Sequence, residues 1–170
     1  MKMLTTQMSG LLDRIATNNE SAIEETARLL AQATVGEGRV IIYGLDELCI
    51  VATVAAATQG GLHGAVSYDE NLELSTADRV WIFTRSVNDE RALDFANTLD
   101  EAFIPFAVVA PEKEMDTPLY EQAMTSISTG LTKGLLPGDL GERIVEPHAL
   151  AALFVYEAVK LSYEEMLEDY

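Results

Sequence analysis

Basic residues are scarce in this chain of 170 residues: 11 lysines and arginines stand against 28 aspartates and glutamates, giving a net charge of −17. Such a surface repels nucleic acid and anionic lipid, because binding to both depends on neutralising phosphates with lysine and arginine. No apolar run reaches the roughly 18 to 20 residues of a membrane helix, and the first residues lack the pattern of a signal peptide. We therefore expect a soluble, cytoplasmic protein with no nucleic-acid or membrane partner.

Cysteine is nearly absent as well. The single thiol, Cys49, cannot form an internal disulfide, which fits a reducing compartment. A cysteine nucleophile needs a basic neighbour that lowers its pKa, whereas the charged residues beside Cys49 are Asp46 and Glu47. We expect a packed core thiol and not a catalytic one.

Apolar residues make up 48% of the chain, and their spacing predicts the fold. Residues 1–35 have the period of two helices that break at Asn18 and Asn19, with Ser21 as the candidate cap of the second. Strands that alternate with helices imply a doubly wound α/β domain, with a mainly five-stranded parallel sheet flanked by helices. Short, β-branched and apolar runs place these strands at 39–44, 62–68, 78–83, 103–110 and 126–130.

The remaining segments complete a single domain over 1–170, made of N-terminal helices at 1–35, a sheet core at 39–130 and a C-terminal helix at 147–169. Segment 48–61 is almost wholly apolar, which predicts a helix buried on several sides. Segment 131–146 has three glycines and a proline and predicts an irregular loop. The predicted apolar face of the last helix consists of Leu150, Phe154, Ala158 and Leu161.

Two hydroxyls, a guanidinium and an amide follow the third predicted strand in the stretch FTRSVNDERA, residues 83–92. In open parallel sheets, ligands bind beyond the carboxyl ends of the strands. A helix that starts near Asp89 would direct free amides at an anion, and Thr84, Ser86 and Asn88 would add side-chain donors. The alternative is that Asn88 or Asp89 only caps the helix. The residues alone favour neither interpretation.

The segment ADRVWIFTRSVNDERALDFANTLDEAFIPFAVVA, residues 77–110, resembles the core of SIS (sugar isomerase) domains. In that family an apolar strand is followed by Ser-x-Ser-Gly-Asn-Thr and then by a helix. The order of helices and strands also agrees, over roughly Ile15 to Leu161. The resemblance implies the flavodoxin-like strand order, and it implies that this loop holds the phosphate of a phosphosugar or a similar small anion.

Carried across, the resemblance makes Thr84, Arg85, Ser86 and Asn88 the candidate phosphate-binding residues. The two hydroxyls take the two serine positions, and Asn88 keeps the asparagine. Val87 stands where the family has glycine, and a β-branched residue does not adopt a positive φ cheaply, so we expect a loop of different shape. The family's threonine is Asp89, a further departure, which removes a hydroxyl and adds repulsion; Arg85 would offset it by pairing with the phosphate.

The stretch RIVEPH, residues 143–148, resembles the Arg-Ile-Gln-Glu-x-His segment of phosphoheptose isomerases. Their metal-binding glutamine is Val145 here, and their later catalytic histidine is Leu153. Val54 and Thr58 stand where those enzymes carry a histidine and a glutamate after the first strand. Zinc needs three or four protein donors, so we expect no metal and no cofactor.

Glu146 and His148 remain as candidate catalytic residues, since proton transfer between sugar carbons needs a base with a pKa near neutrality. Gly44, Asp46 and Glu47, after the first strand, are candidate sugar contacts. The main prediction is phosphosugar binding, and the first alternative is an aldose–ketose sugar-phosphate isomerase. The second alternative is a dimeric structural or regulatory protein whose sugar site has decayed. Apolar helix faces and the SIS resemblance also predict a homodimer or tetramer.

Overall fold

The computed structural model describes residues 1–168, so Asp169, the last residue predicted for the C-terminal helix, lies outside the described residues. The helices in this part of the chain are α1 (Lys2–Asn18), α2 (Glu20–Val35), α3 (Cys49–Ala55), α4 (Glu90–Glu101), α5 (Pro118–Gln122) and α6 (His148–Glu168), with a 3₁₀ turn at Asp46–Leu48 before α3. The strands are β1 (Val40–Gly44), β2 (Ala65–Ser67), β3 (Arg79–Phe83), β4 (Phe106–Ala110), β5 (Thr125–Ser128), β6 (Leu136–Pro137) and β7 (Arg143–Ile144).

Five strands form one all-parallel sheet in the order β2-β1-β3-β4-β5. This arrangement confirms the predicted doubly wound α/β fold with flanking and N-terminal helices. The other two strands, β6 and β7, pair antiparallel, so the segment predicted as an irregular loop contains a small ladder. Gly134 permits it, because a Cβ at that position would lie 2.6 Å from the backbone nitrogen of Ile144.

Alternate residues of β3 face opposite sides of the sheet, as the two-residue period of a strand requires. Trp81 and Phe83 join the apolar cluster that α1, α2, α3 and α6 cover, whereas Val80 and Ile82 join the cluster under α4 and α5. All four side chains are fully buried. Both faces of the sheet are therefore covered, and its carboxyl edge is the side left open to ligands.

The two N-terminal helices are separated by Asn19 alone. The predicted cap at Ser21 is wrong, because α2 begins at Glu20 and no side chain caps it. The buried Asn19 instead joins this junction to the sheet. Its Nδ2 donates to the carbonyl oxygens of Ile15 (2.8 Å) and Ser128 (3.0 Å), and its Oδ1 accepts from the amide of Ser128 (3.2 Å).

Helix α3 is shorter and less enclosed than its composition predicts. Only seven residues, Cys49–Ala55, are helical, and the buried ones are Val51, Ala52 and Ala55. Cys49 and Ile50 are exposed, so the prediction of a packed core thiol is wrong. The helix covers the sheet with one face only, and an Ala-rich composition does not reveal which faces of a helix find a neighbour.

Helix α6 buries a different face from the predicted one. The side chains against the core are Ala151, Ala152, Val155, Tyr156, Val159 and Tyr163. On the predicted face, Leu150 is 55% and Leu161 is 63% exposed, and Phe154 and Ala158 are half-buried. The helix is apolar on both sides, so the sequence period could not distinguish them. No helix within residues 1–168 has the length and apolar character needed to cross a membrane.

A buried carboxylate joins the starts of β1 and β3. Asp78 is 1% exposed, and its oxygens accept from the amide, Nε and Nη2 nitrogens of Arg39 (2.9, 3.1 and 2.8 Å) and from the amide of Ser75 (2.8 Å). Burial alone would raise the pKa of Asp78, but the hydrogen bonds from Arg39 and the two backbone amides outweigh it and lower this pKa. The carboxylate therefore stabilises the fold in its charged form.

We predict that Asp78→Ala lowers the free energy of unfolding by about 2–4 kcal/mol at pH 7, because it leaves two amides and Arg39 without their acceptor. Since the pKa is lowered in the folded state, this stabilisation is present above the unfolded carboxyl pKa of about 3.9 and is lost as the pH falls below it. Urea denaturation measures the loss. Asp13→Ala, on the exposed side of α1, should change stability by less than about 0.5 kcal/mol; equal effects would contradict the prediction.

Candidate functional site

A cavity of about 250 Å³ opens at the carboxyl edge of the sheet. Its walls come from the loop after β3, the loop after β4, the segment after β5 and the start of α6. We call it the Ser86 cavity. It is lined by Arg85, Ser86, Pro111, Glu112, Leu131, Thr132, Glu146 and His148.

The loop after β3 is shaped by its own hydroxyl groups. Thr84 is 2% exposed; its Oγ1 donates to the carbonyl oxygen of Ser86 (3.0 Å) and accepts from the amide of Ser86 (3.3 Å). The Oγ of Ser86 accepts from the amide of Asn88 (3.1 Å). The Thr84 hydroxyl is therefore used inside the loop, whereas Ser86 lines the cavity. The Asn88 side chain is exposed and is not part of the cavity wall.

The cap proposed for the following helix is present, and Asp89 provides it. Its Oδ1 accepts from the amide of Arg91 (3.0 Å), and α4 begins at Glu90. The hydrogen bonds from Arg91 lower the pKa of Asp89, so the cap is ionised at neutral pH. Anion binding would use other groups of this loop than the cap does, so the cap by itself leaves the anion-binding interpretation open.

An anionic oxygen already contacts the loop. The amide of Val87 donates to Oε2 of Glu112, at 3.1 Å, from the loop after β4. Val87 does not have a positive φ, and its side chain is 2% exposed within the core. The loop therefore differs from the family's loop, which has glycine at this position, because it buries the Val87 side chain. The Val87 amide still donates a hydrogen bond to an acceptor at the cavity.

Charged side chains from three distant segments meet at the mouth of the cavity. Nη2 of Arg85 lies 2.9 Å from Oε2 of Glu146, and Nε of Arg85 lies 3.4 Å from Oε1 of Glu47. Nε2 of His148 lies 3.9 Å from the same Glu146 oxygen. The structure thus brings together four of the residues predicted from sequence. One guanidinium here balances two carboxylates, and Glu112 adds a third nearby.

Asp46 and Gly44 have different surroundings. Asp46 forms a bidentate pair with Arg91 (3.0 and 2.8 Å), and this hydrogen bonding lowers the pKa of Asp46. Gly44 is needed for a close approach, because a Cβ there would lie 2.2 Å from the carbonyl oxygen of Leu48. Neither residue lines the Ser86 cavity.

Two non-glycine residues next to the charged cluster have left-handed backbone conformations. Asp46 has φ 53° and Val145 has φ 65°. Aspartate tolerates this region, but a β-branched residue pays roughly 1–2 kcal/mol for it. The amide of Leu135 donates to the carbonyl oxygen of Val145 (2.9 Å), which fixes the strained residue directly before Glu146.

Four wall residues of the cavity were not predicted from sequence: Pro111, Glu112, Leu131 and Thr132. A signal existed for Glu112, which follows the apolar run of β4 after a single proline. Carboxyl ends of parallel strands share one edge of the sheet, so a charged residue at that position belongs among the candidates. Leu131 and Thr132 follow β5 and carry no chemical signal of their own.

Among residues 1–168, no group of three or more histidine, cysteine, aspartate or glutamate side chains is placed so that it could hold a metal ion. That the protein functions without a metal stays a prediction.

His148 is a partly enclosed histidine whose ring stays neutral at physiological pH. Its side chain is 9% exposed. Burial lowers the pKa of His148, the nearby Arg85 lowers it further, and the carboxylates of Glu146, Glu47 and Glu112 oppose these effects without cancelling them. A neutral imidazole can accept a proton, which is the form that a general base needs.

This lowered pKa predicts a pH dependence of stability. The unfolded chain takes up a proton at His148 near pH 6.5, whereas the folded protein resists it until lower pH. The free energy of unfolding should therefore decrease as the pH falls from about 7.5 to about 5.5, and His148→Gln should weaken this decrease. Denaturation at several pH values measures it. His63→Gln, which removes the other, exposed histidine, is the control; a decrease identical in parent and His148→Gln would contradict the prediction.

Solved structures share this fold. A proposed phosphosugar isomerase involved in capsule formation, from Bacteroides fragilis, is 14% identical with a TM-score of 0.69, and the match covers 97% of this chain and 92% of that one. The c3406 protein of E. coli CFT073, in complex with a sugar phosphate, is 14% identical with a TM-score of 0.61, covering 96% and 93%. The Vibrio vulnificus NanR protein complexed with ManNAc-6P is 13% identical with a TM-score of 0.64, covering 98% and 62%. At these identities the likeness establishes the fold, which is that of SIS domains.

Sequence relatives extend over the whole chain. The uncharacterized protein YwjG of Bacillus subtilis (strain 168) is 29% identical over 171 residues, which cover 100% of this chain and 99% of that protein. The model of the family described as "Domain of unknown function (DUF2529)" matches residues 1–167. Because this match spans nearly the entire chain, the protein belongs to the DUF2529 family.

Proposed function

We propose that the protein binds a phosphorylated sugar in the Ser86 cavity, with the phosphate on the loop after β3. The observation that carries the proposal is the hydrogen bond from the Val87 amide to the carboxylate of Glu112. It supports a loop built to donate to anionic oxygen. A phosphate that displaces Glu112 would gain this amide, the Ser86 hydroxyl and the Arg85 guanidinium as donors.

The structural neighbours support the choice of ligand. Two proteins of the same fold were solved as complexes with a sugar phosphate, which in NanR is ManNAc-6P. Fold likeness alone is an analogy, and the cavity provides the independent argument. Its volume of about 250 Å³ is near the lower end of small-molecule sites and suits one monosaccharide better than an extended chain.

The other candidate residues have roles that follow from their positions. Thr84 holds the loop in shape through its hydrogen bonds with Ser86. Glu47 and Glu146 would accept hydrogen bonds from sugar hydroxyls once Arg85 turns to the phosphate. Asn88 would contact the ligand from the rim, while Gly44 and Asp46 would shape the entrance.

The charges imply that binding includes a rearrangement. In the free protein Arg85 pairs with Glu47 and Glu146, and Glu112 holds the loop amide. A phosphate must displace Glu112 from the loop amide and attract Arg85 away from Glu47 and Glu146. The arginine pairs are exposed and individually weak, about 0–1 kcal/mol each, so the rearrangement lowers affinity without preventing binding.

A second candidate function is an aldose–ketose isomerase that uses Glu146 and His148. Their separation of 3.9 Å and the neutral state of His148 favour it, since one group would remove a proton from a sugar carbon and the other would transfer a proton at the adjacent oxygen. A sugar-phosphate isomerase of this kind works without the zinc site of phosphoheptose isomerases.

The binding proposal predicts opposite effects from two substitutions at the cavity. Ser86→Ala removes a donor to a charged acceptor and should weaken sugar-phosphate binding by about tenfold. Glu112→Gln removes the competing carboxylate charge and should tighten binding by roughly three- to tenfold. Isothermal titration with a panel of pentose, hexose and N-acetylhexosamine phosphates measures both. Glu114→Gln, an exposed residue of the same loop outside the cavity wall, is the matched control.

Unchanged affinity in Ser86→Ala would contradict the placement of the phosphate. Exchange of the C2 proton with deuterium, followed by NMR in the same samples, separates the isomerase from a protein that only binds. If no phosphosugar of the panel binds, the remaining interpretation is a structural or regulatory protein whose sugar site has decayed.

We also propose that the protein forms a homodimer through the exposed face of α6. Leu150, Phe154, Ala158 and Leu161 recur at helical spacing on one side of this helix and leave apolar surface uncovered. A symmetric pair of such helices would bury each stripe against its copy, an isologous contact.

The double variant Leu150→Glu/Leu161→Glu should be a monomer, because it places charge in the buried stripe. Light scattering at micromolar concentration should give twice the chain mass for the parent protein and one chain mass for the variant. Val35→Glu, at an exposed apolar position on α2, should leave the dimer intact. A parent protein that is monomeric would end the proposal.

A further inference from the structure

A second cavity, of about 310 Å³, lies between α1, the loop after β4 and the end of β5. We call it the Arg14 cavity. Its polar wall residues are Arg14, Asn18, Asn19, Lys113, Ser128 and Thr129. It shares no wall residue with the Ser86 cavity, and neither the resemblance nor the proposed function uses it.

The charge of this cavity is opposite to that of the molecule. The wall holds two cations and, among the described residues, no carboxylate, although acids outnumber bases by 28 to 11 in the chain. Arg39, Arg85 and Arg91 each have a carboxylate partner. Arg14 and Lys113 are among the seven basic residues that form no salt bridge to any residue between 1 and 168, and they are the two that line this cavity. Two cations without counter-charge at one concavity favour an anion there.

Asn19 and Gly130 give the wall of this cavity a fixed frame. Asn19 forms one wall and is held by three hydrogen bonds to Ile15 and Ser128. Gly130 has φ 64°, and a Cβ on it would lie 3.0 Å from Cε of Lys113. The glycine therefore serves two needs, a left-handed turn and the passage of the Lys113 side chain along the cavity.

Neutral donors complete the set. The hydroxyl of Thr129, which is 8% exposed, accepts from the amide of Leu131 (3.4 Å) and keeps its own proton for an acceptor. The Asn18 amide lies on the same wall without a hydrogen-bond partner in the part of the chain that is described. Guanidinium, ammonium, hydroxyl and amide donors together match the several oxygens of a phosphate.

We propose that the Arg14 cavity binds a second small anion, a phosphate group that is free or carried by a small metabolite. Its volume is at the lower end of ligand sites, which excludes a large ligand, and its wall residues include no aromatic ring on which a nucleobase would stack. This site goes beyond the proposed sugar-phosphate function and does not depend on it.

Isothermal titration with inorganic phosphate and, separately, with glycerol 3-phosphate tests the site at low ionic strength. Arg14→Ala and Lys113→Ala should each weaken binding by about tenfold, because each removes a charged donor. Arg28→Ala, which removes an exposed arginine of α2, should change the affinity by less than about twofold through long-range charge alone. Glycerol 3-phosphate that binds tighter than phosphate identifies a metabolite; equal affinities identify free phosphate.

Arg85→Ala separates this site from the Ser86 cavity. Arg85→Ala should weaken binding of sugar phosphates while a site for inorganic phosphate persists. Arg14→Ala should weaken binding of inorganic phosphate and leave the affinity for sugar phosphates unchanged. Equal losses in Arg14→Ala and Arg28→Ala would overturn the second site, since they would reflect charge screening. Absence of saturable binding by both probes would overturn it as well, whatever the outcome for sugar phosphates.

Discussion

The hydrogen bonding of β3 between β1 and β4 is the constraint on which the rest of the structure depends. Val80, Trp81, Ile82 and Phe83 have no exposed surface, so every backbone group of this strand must pair within the sheet, and the parallel neighbours on both sides provide the partners. Parallel pairing places all the carboxyl ends at one edge. The loops that follow β1, β3, β4 and β5 therefore meet at this edge although they are far apart in sequence, and the Ser86 cavity is a consequence of that packing.

At this edge of the sheet, arginines connect the loops to one another. Arg85 joins Glu47 to Glu146, and Arg91 joins Asp46 to the helix cap at Asp89. Each connects segments that are far apart in sequence, although exposed pairs contribute little to stability individually. In a chain of net charge −17, such bridges reduce repulsion where acidic residues crowd together. They orient the loops without closing the cavity, so a ligand with stronger charges can exchange for them.

The sheet was predictable because strands that are buried on both faces consist of β-branched and apolar residues, and such runs can be recognised in the sequence. The face of α6 was not, since Leu150 and Val155 are equally apolar and only the neighbouring helices decide which is covered. The candidate site was predicted in part: Ser86, Arg85, Glu146 and His148 carry chemical signals in their motifs. The inward direction of the Thr84 hydroxyl and the contact of Glu112 with the loop depend on tertiary positions, and no local pattern expresses them.

If the Ser86 cavity holds a phosphate as proposed, the contact between Glu112 and the Val87 amide has a consequence for selectivity among ligands. The Glu112 carboxylate is part of the same chain, so its effective concentration at the Val87 amide does not depend on protein concentration. A ligand therefore binds there only if it interacts with the loop more strongly than this carboxylate does. A sugar acid offers the same group that is already present and gains little from the exchange. A phosphate dianion brings more charge and a third oxygen, enough to engage the hydroxyl and guanidinium together. The built-in competitor would thus let the protein ignore uronic and aldonic acids, which resemble phosphosugars in size and sign of charge.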